Sequence, residues 1–190
     1  MTFRSFDRFG GMRFVAVAAA LACAVTAGQA SAAPTQGTLG ATSTGIINIS
    51  ASVPNRARIT GLVDVAFTNQ DPNTAASSNQ DVCVWSNTAT KGYTITATGS
   101  GSGNIFTLSN GSGTVPYSVE WAGSSGQTSG TALAAGTASA SLTSTAVDPT
   151  CSSAPAASAS LIVKMVPADL GTMSAGSNYT GTLTLVVTPQ

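Results

Sequence analysis

The side chains that most often carry enzyme chemistry are scarce in this sequence. It contains no histidine, which removes nucleophile activation by a Ser–His or Cys–His pair and metal sites built on imidazole. Its carboxylates are few and far apart, although Glu120 and a distant Asp could meet as the carboxylate pair of a glycosidase. Because Glu120 alternates with apolar residues, we interpret it as a surface charge on the polar face of a strand. We therefore predict no catalytic residues and no enzyme activity.

Two other sets of side chains have a possible binding role. Asp71, Asn73 and Asp81 offer oxygen ligands for Ca²⁺, but their spacing fits no calcium-binding loop. Trp85 and Trp121 could stack on a sugar, yet each is in phase with apolar neighbours, which favours a place in the core. We expect neither a metal nor a cofactor.

The N-terminus has the three-part layout of a secretory signal. A basic region is followed by an apolar run over residues 14–27, and small residues at Ala30 and Ala32 suit signal peptidase. The apolar run is too short to span a bilayer. We predict a signal peptide over residues 1–32, with translation from Met1 or Met12 and export through the periplasm. The basic residues of this region are Arg4, Arg8 and Arg13.

Two alternatives remain open for this segment. One is an uncleaved N-terminal membrane anchor. The other is a lipoprotein signal, because Cys23 follows Ala22 within the apolar run.

After the signal, only Cys83 and Cys151 remain. In an oxidising compartment two cysteines favour a single disulfide, which would close a long loop. Two free thiols are the alternative.

The mature chain is sparsely charged and weakly acidic. Its cations are Arg56, Arg58, Lys91 and Lys164. With no basic patch to neutralise phosphates, we expect no nucleic-acid binding. The mature length suits one domain.

Short alternating runs broken by Gly, Asn, Ser and Pro dominate the chain, and this pattern predicts strands. Eight or so such strands with turns between them predict an all-β, immunoglobulin-like antiparallel β-sandwich. Asn69 to Gln80, Gly123 to Gly130 and Asp148 to Ser158 read as loops. The predicted strands lie at Thr44–Val53, Val63–Phe67, Val82–Trp85, Tyr93–Ala97, Ile105–Leu108, Val115–Trp121, Ser139–Leu142, Leu161–Val166 and Thr180–Thr188.

Three segments resemble the subunits of bacterial chaperone–usher fimbriae, in particular the alternate, colonisation-factor-antigen type. They are Asn48-Ile-Ser-Ala-Ser-Val53 before Pro54, Val115-Pro-Tyr-Ser-Val-Glu-Trp121, and Gly176-Ser-Asn-Tyr-Thr-Gly-Thr-Leu-Thr-Leu185. The leader Gly37-Thr-Leu-Gly and the early cysteine are similar to the spore-coat-U-type pilins. The longer leader and the cysteine pair depart from the alternate type.

The resemblance implies a structural subunit of a surface fimbria, for adhesion or biofilm formation. Such a sandwich lacks one strand, and the N-terminal strand of the next subunit completes it. Here residues 33–44 would be a flexible leader and residues 45–190 the pilin-like domain, with residues 45–53 as donor strand. The donor side chains would be Ile47, Ile49, Ala51 and Val53.

The resemblance also implies partners. These are further copies of the chain, an outer-membrane usher and a periplasmic chaperone, which would pair with the C-terminal strand; any surface receptor is unknown. The alternative is a strand that folds back, giving a self-complete secreted or surface β-sandwich that binds a glycan or a protein. The residues expected in the chaperone-pairing strand are Tyr179, Leu183, Leu185 and Val187.

Overall fold

Alternation of apolar and polar residues folds the chain into antiparallel strands. The computed structural model describes residues 33–190; the predicted signal peptide over residues 1–32, with Cys23, lies outside the described residues. One short helix, α1 (Pro167–Leu170), and one 3-10 turn, Ser102–Asn104, accompany the strands. The strands are β1 Ala57–Thr60, β2 Ala76–Ser86, β3 Gly92–Gly99, β4 Thr107–Ser109, β5 Thr114–Pro116, β6 Ser118–Ala122, β7 Thr131–Ala132, β8 Leu142–Thr143, β9 Ala159–Met165 and β10 Leu183–Pro189.

The described residues fall into two units, one that ends at Ser52 and one over Val53–Gln190. In the first, residues 33–52 are exposed, and Thr35 and Ile46 exchange two backbone hydrogen bonds of 3.0 and 2.9 Å. The alternating segment Thr44–Val53 joins no sheet among the described residues.

The second unit is an immunoglobulin-like antiparallel β-sandwich, as predicted. One sheet has the strand order β1-β2-β9-β6-β7 and the other has the order β10-β3-β8, while β4 and β5 form a hairpin. Inward side chains of both sheets form one core, which includes Val84, Ile95, Val119 and Leu161. Trp121 is buried there, as predicted, and its indole Nε1 donates to the Tyr93 hydroxyl at 3.3 Å. No helix of residues 33–190 is both long and apolar enough to cross a membrane.

Polar contacts on the outer face of the larger sheet join its strands to a neighbouring loop. Lys164 Nζ lies 2.8 Å from the Glu120 carboxylate, which also accepts from the Gly130 N–H, so Glu120 is paired rather than free. The Lys164 hydrogen bond is the main reason why the pKa of Glu120 is lowered. Asp81 accepts from the Ser160 hydroxyl and the Gly126 N–H. These contacts pin the loop after β6 across β9 and β2.

The predicted disulfide between Cys83 and Cys151 is present, with the Cα atoms 5.9 Å apart. Both residues are buried, and Trp85 packs against them rather than in the main core. The Asp148 carboxylate accepts N–H bonds from Thr150, Ser152 and Ser153. These bonds, led by the one from Ser153, hold the pKa of Asp148 well below its usual range. The carboxylate thus organises the loop that carries the second cysteine.

Besides Thr44–Val53, two predicted elements differ from the structure. The strand predicted over Val63–Phe67 is absent, because the backbone groups of Val63 pair with a glutamine side chain, described below, instead of a strand. The loop predicted over Asn69 to Gln80 is wrong in its second half, since β2 begins at Ala76. The polar residues at the start of β2 face solvent on one side. They form a strand despite their low hydrophobicity, because β9 pairs with them.

We expect the double substitution Cys83→Ala/Cys151→Ala to lower the free energy of unfolding by about 4 kcal/mol, the loop-closure value for a loop of this length. Guanidinium denaturation of the exported chain measures this change. Reductant should bring the wild-type midpoint to that of the variant and leave the variant unchanged. A variant as stable as the oxidised wild type would contradict the expectation.

Candidate functional site

Strand β10 has a partner on one edge only. It pairs antiparallel with β3 along its whole length, from Leu183 opposite Gly99 to Pro189 opposite Tyr93. Within residues 33–190 no strand pairs with its other edge. A row of unpaired backbone N–H and C=O groups is a ready template for another strand.

The side chains of β10 show that the core is also incomplete at this edge. Leu183, Leu185 and Val187 point towards the core but are only half-buried, whereas core residues on β3 such as Ile95 are fully buried. These are the residues predicted for the C-terminal pairing strand, and the structure places them on one face. The fourth, Tyr179, precedes β10, packs against the core and accepts an N–H bond from Ser174 through its hydroxyl.

An open groove of about 550 Å³ lies beside the start of β10. Its floor includes Tyr117, Leu161 and Val163, and its walls include Leu108 and Leu183. Tyr117 is buried, and this burial raises the pKa of its phenol. The groove is thus apolar at its base.

A second cavity of about 670 Å³ adjoins the first, and the two share Val65, Phe67, Leu108 and Gly181 in their linings. It continues past Met165. The second cavity also has many polar residues in its lining, such as Asn69, Ser177 and Asn178. We call the two cavities together the apolar groove, after the apolar base of the first. Most of its lining could not be predicted from the sequence, because these residues come from separate elements that only the sheet topology brings together.

In one wall of the groove, the backbone is hydrogen-bonded to a side chain and not to a neighbouring strand. Beyond the end of β1 at Thr60, Gly61 has a φ of 84°, which favours glycine and turns the chain away from the ladder. The Val63 N–H then donates to Gln80 Oε1 at 2.7 Å, and Gln80 Nε2 donates to the Val63 carbonyl at 3.1 Å. Val63 itself is exposed. The alternation of Val63, Val65 and Phe67 is the sequence pattern from which this wall could be predicted.

Strand β1 begins at the end of the sandwich that lies opposite the groove. We call this end, where β2 ends at Ser86 and β10 ends at Pro189, the exit end. The mouth end is the other one, where β2 begins at Ala76 and β9 ends at Met165. Eleven residues of β2 separate the two ends, which corresponds to about 30 Å at the usual rise per residue.

A side-chain bracket holds the backbone at the exit end. Asn87 Oδ1 accepts from the Arg56 N–H at 2.6 Å, and Asn87 Nδ2 donates to the Pro54 carbonyl at 2.9 Å. The Asn87 N–H donates to the Arg56 carbonyl at 3.1 Å, which continues the β1–β2 ladder. Pro54 also restricts Val53 to extended conformations. Asn87 therefore ties residues 54–56 to the end of β2, next to the β1–β2 ladder.

The four predicted donor residues are all exposed: Ile47 by 73%, Ile49 by 87% and Val53 by 81%, with Ala51 in the same class. Several large apolar side chains in one exposed segment usually mark a binding surface. Their role as donors stays a prediction at this point.

The candidate calcium ligands do not converge. Asp71 accepts from the backbone and side chain of Asn73, forming its own turn. Asp81 is engaged by Ser160 and Gly126 on the outer face of the larger sheet.

Two solved structures from chaperone–usher pilus systems are similar to this chain. One is a chaperone–tip adhesin complex of CFA/I fimbriae, with 17% identity and a TM-score of 0.45. The other is the CsuC–CsuE chaperone–tip adhesion subunit pre-assembly complex from the archaic Csu pili of Acinetobacter baumannii, with 18% identity and a TM-score of 0.38. Each match covers 72% of this chain, which spans only 41% and 40% of the matched chains. The sequence matches no protein-family model and no curated protein.

An accessible apolar groove should bind a hydrophobic dye such as ANS. We expect Leu183→Asp to reduce the fluorescence enhancement strongly, because it places a charge in the groove wall. Thr184→Asp is the matched control, since the neighbouring side chain faces solvent and should leave dye binding unchanged. Equal dye binding by both variants would contradict this description of the groove.

Proposed function

We propose that this chain is a non-enzymatic structural subunit of a surface pilus that polymerises head to tail by donor-strand complementation. The unpaired edge of β10 beside the apolar groove is the observation that carries the proposal. Residues 45–53 of a second copy would pair with that edge and fill the groove.

The donor segment matches both needs of the acceptor. Its backbone can supply the ladder that β10 lacks, and its alternate side chains can enter the groove while the others face solvent. Burying Ile47, Ile49, Ala51 and Val53 would contribute roughly 5–8 kcal/mol at about 25 cal/mol per Å². Ladder hydrogen bonds would add to this stabilisation.

The exit geometry favours insertion from a second copy over folding back. A segment of the same chain would have to reverse direction at residues 54–56 and run parallel to β10. The Asn87 bracket and Pro54 oppose this reversal. A second copy can approach from the mouth end and run antiparallel, which is the slightly more stable pairing.

We propose the antiparallel register that sets the donor's apolar face against the inward residues of β10. In this register Val53 would lie near Leu183, Ala51 near Leu185 and Ile49 near Val187. Each donor side chain would then cover a half-buried side chain of β10. The contact is heterologous, so it leaves the acceptor's own segment free at the exit end and propagates as a filament.

Before assembly, the groove would need temporary cover, because exposed strand edges promote aggregation. We propose that a periplasmic chaperone pairs with β10 and that an outer-membrane usher exchanges it for the donor. This route takes the exported chain through the periplasm to the cell surface.

We expect the exported wild-type protein to give an SDS-stable ladder that collapses to one band on boiling. Ile49→Asp should abolish the ladder, because a charge cannot be buried against the apolar face of β10 without a large desolvation cost. Ser50→Asp, on the opposite face of the same segment, should retain it. Both side chains are exposed in the subunit, so neither change should alter its unfolding midpoint. A single monomer band for wild type, unheated and boiled, would overturn the proposal in favour of a self-complete sandwich.

Engineered cysteines distinguish the direction of insertion. We expect Val53→Cys with Leu183→Cys to give a ladder that survives boiling and disappears with reductant. Ile47→Cys with Leu183→Cys is the matched pair for the parallel, folded-back arrangement. If only the second pair forms, as an intramolecular bond in a monomer, the segment completes its own sheet.

A further inference from the structure

The few charged side chains of the sandwich are sorted between its two ends. Three of the four cationic side chains in residues 33–190 lie at the exit end. Arg56 and Arg58 lie at the start of β1, opposite Asn87 and Trp85, and Lys91 lies in the turn between β2 and β3. Arg56 and Arg58 are exposed and Lys91 is half-buried.

Three carboxylates lie at the mouth end, around the apolar groove. Asp64 lines the first cavity. Asp71 sits between two lining residues of the second cavity, Gln70 and Pro72. Asp169 lies in α1, directly before the lining residue Leu170. None of the three makes a salt bridge among the described residues.

The remaining charged side chains do not cancel the negative charge of the mouth end. Lys164 and Glu120 neutralise each other on the outer face of the larger sheet. Asp81 is engaged on that face, further along β2. Asp148 lies near the disulfide, and its carboxylate oxygens accept hydrogen bonds from its own loop. Its negative charge offsets part of the positive charge of the exit half.

We propose that the acidic mouth end is a docking surface for the basic exit end of a second copy of this chain. The inference rests on the proposed function, which brings these two ends together at every junction. Antiparallel insertion places Val53 of the donor near Leu183, so the donor's Arg56, three residues later, arrives beside the mouth of the groove. The apolar groove binds the strand, and the charged rim around it orients the incoming subunit.

The contribution falls mainly on the rate of association. Exposed ion pairs stabilise a complex by at most about 1 kcal/mol each, which is small beside the burial of the donor side chains. Complementary fields steer encounter and raise association rates by about tenfold or more at low salt. The effect should fade as the Debye length falls from about 30 Å at 0.01 M to about 3 Å at 1 M salt.

A charge-swap series tests this surface. The variant Asp64→Lys/Asp169→Lys makes the mouth basic, and Arg56→Glu/Lys91→Glu makes the exit end acidic. We leave Asp71 unchanged because it forms its own turn. Each double variant should form the SDS-stable ladder at least about tenfold more slowly than wild type at 20 mM NaCl. The quadruple variant keeps the net charge of the wild type and restores opposite charges at the junction, so its rate should recover.

The outcomes separate the two proposals. If wild type forms no ladder, the proposed function fails and the docking surface fails with it. If wild type assembles but all variants assemble at the same rate, or the quadruple variant is as slow as the doubles, only the docking surface is overturned. Rates that converge at 0.5 M NaCl would support electrostatic steering. A slow variant whose unfolding midpoint matches wild type excludes loss of folding as the cause.

Discussion

The unpaired edge of β10 is the constraint from which the other features of this molecule follow. Its free backbone edge can pair with a further strand, and its inward side chains are only half-covered. A small apolar ligand would bury the side chains but leave the backbone unpaired. An extended peptide with alternating apolar residues meets both needs at once, and residues 45–53 of this chain have that pattern.

The sandwich leaves this edge open through local features that can be named. Strand β1 stops at Thr60, and Gly61 turns the chain away. The following residues are held by the Gln80 amide instead of a strand ladder, so they form a wall and not a partner for β10. At the other end, Asn87 holds the backbone of Pro54 and Arg56 through its side-chain amide. The open edge is thus a result of how β1 ends.

Sequence patterning predicted the strands that bury one face, because alternation is a local signal: β3, β9 and β10 lie where Tyr93, Leu161 and Leu183 indicate. The disulfide could be predicted because only two cysteines follow the predicted signal peptide. The groove could not be predicted, since Tyr117, Leu161 and Leu108 meet only through the pairing of distant strands. The first half of β2 was missed for a related reason, as its polar residues are held by β9 and carry no hydrophobic signal.

An incomplete sandwich must remain folded while its groove is empty, and the features distant from the groove explain how it can. The disulfide ties the loop after β8 to β2. Asp81, Ser160 and the Glu120–Lys164 pair fasten the next layer of loops to the outer face of the larger sheet. None of these contacts involves β10. The larger sheet is therefore held together by contacts that do not depend on the unpaired edge of β10.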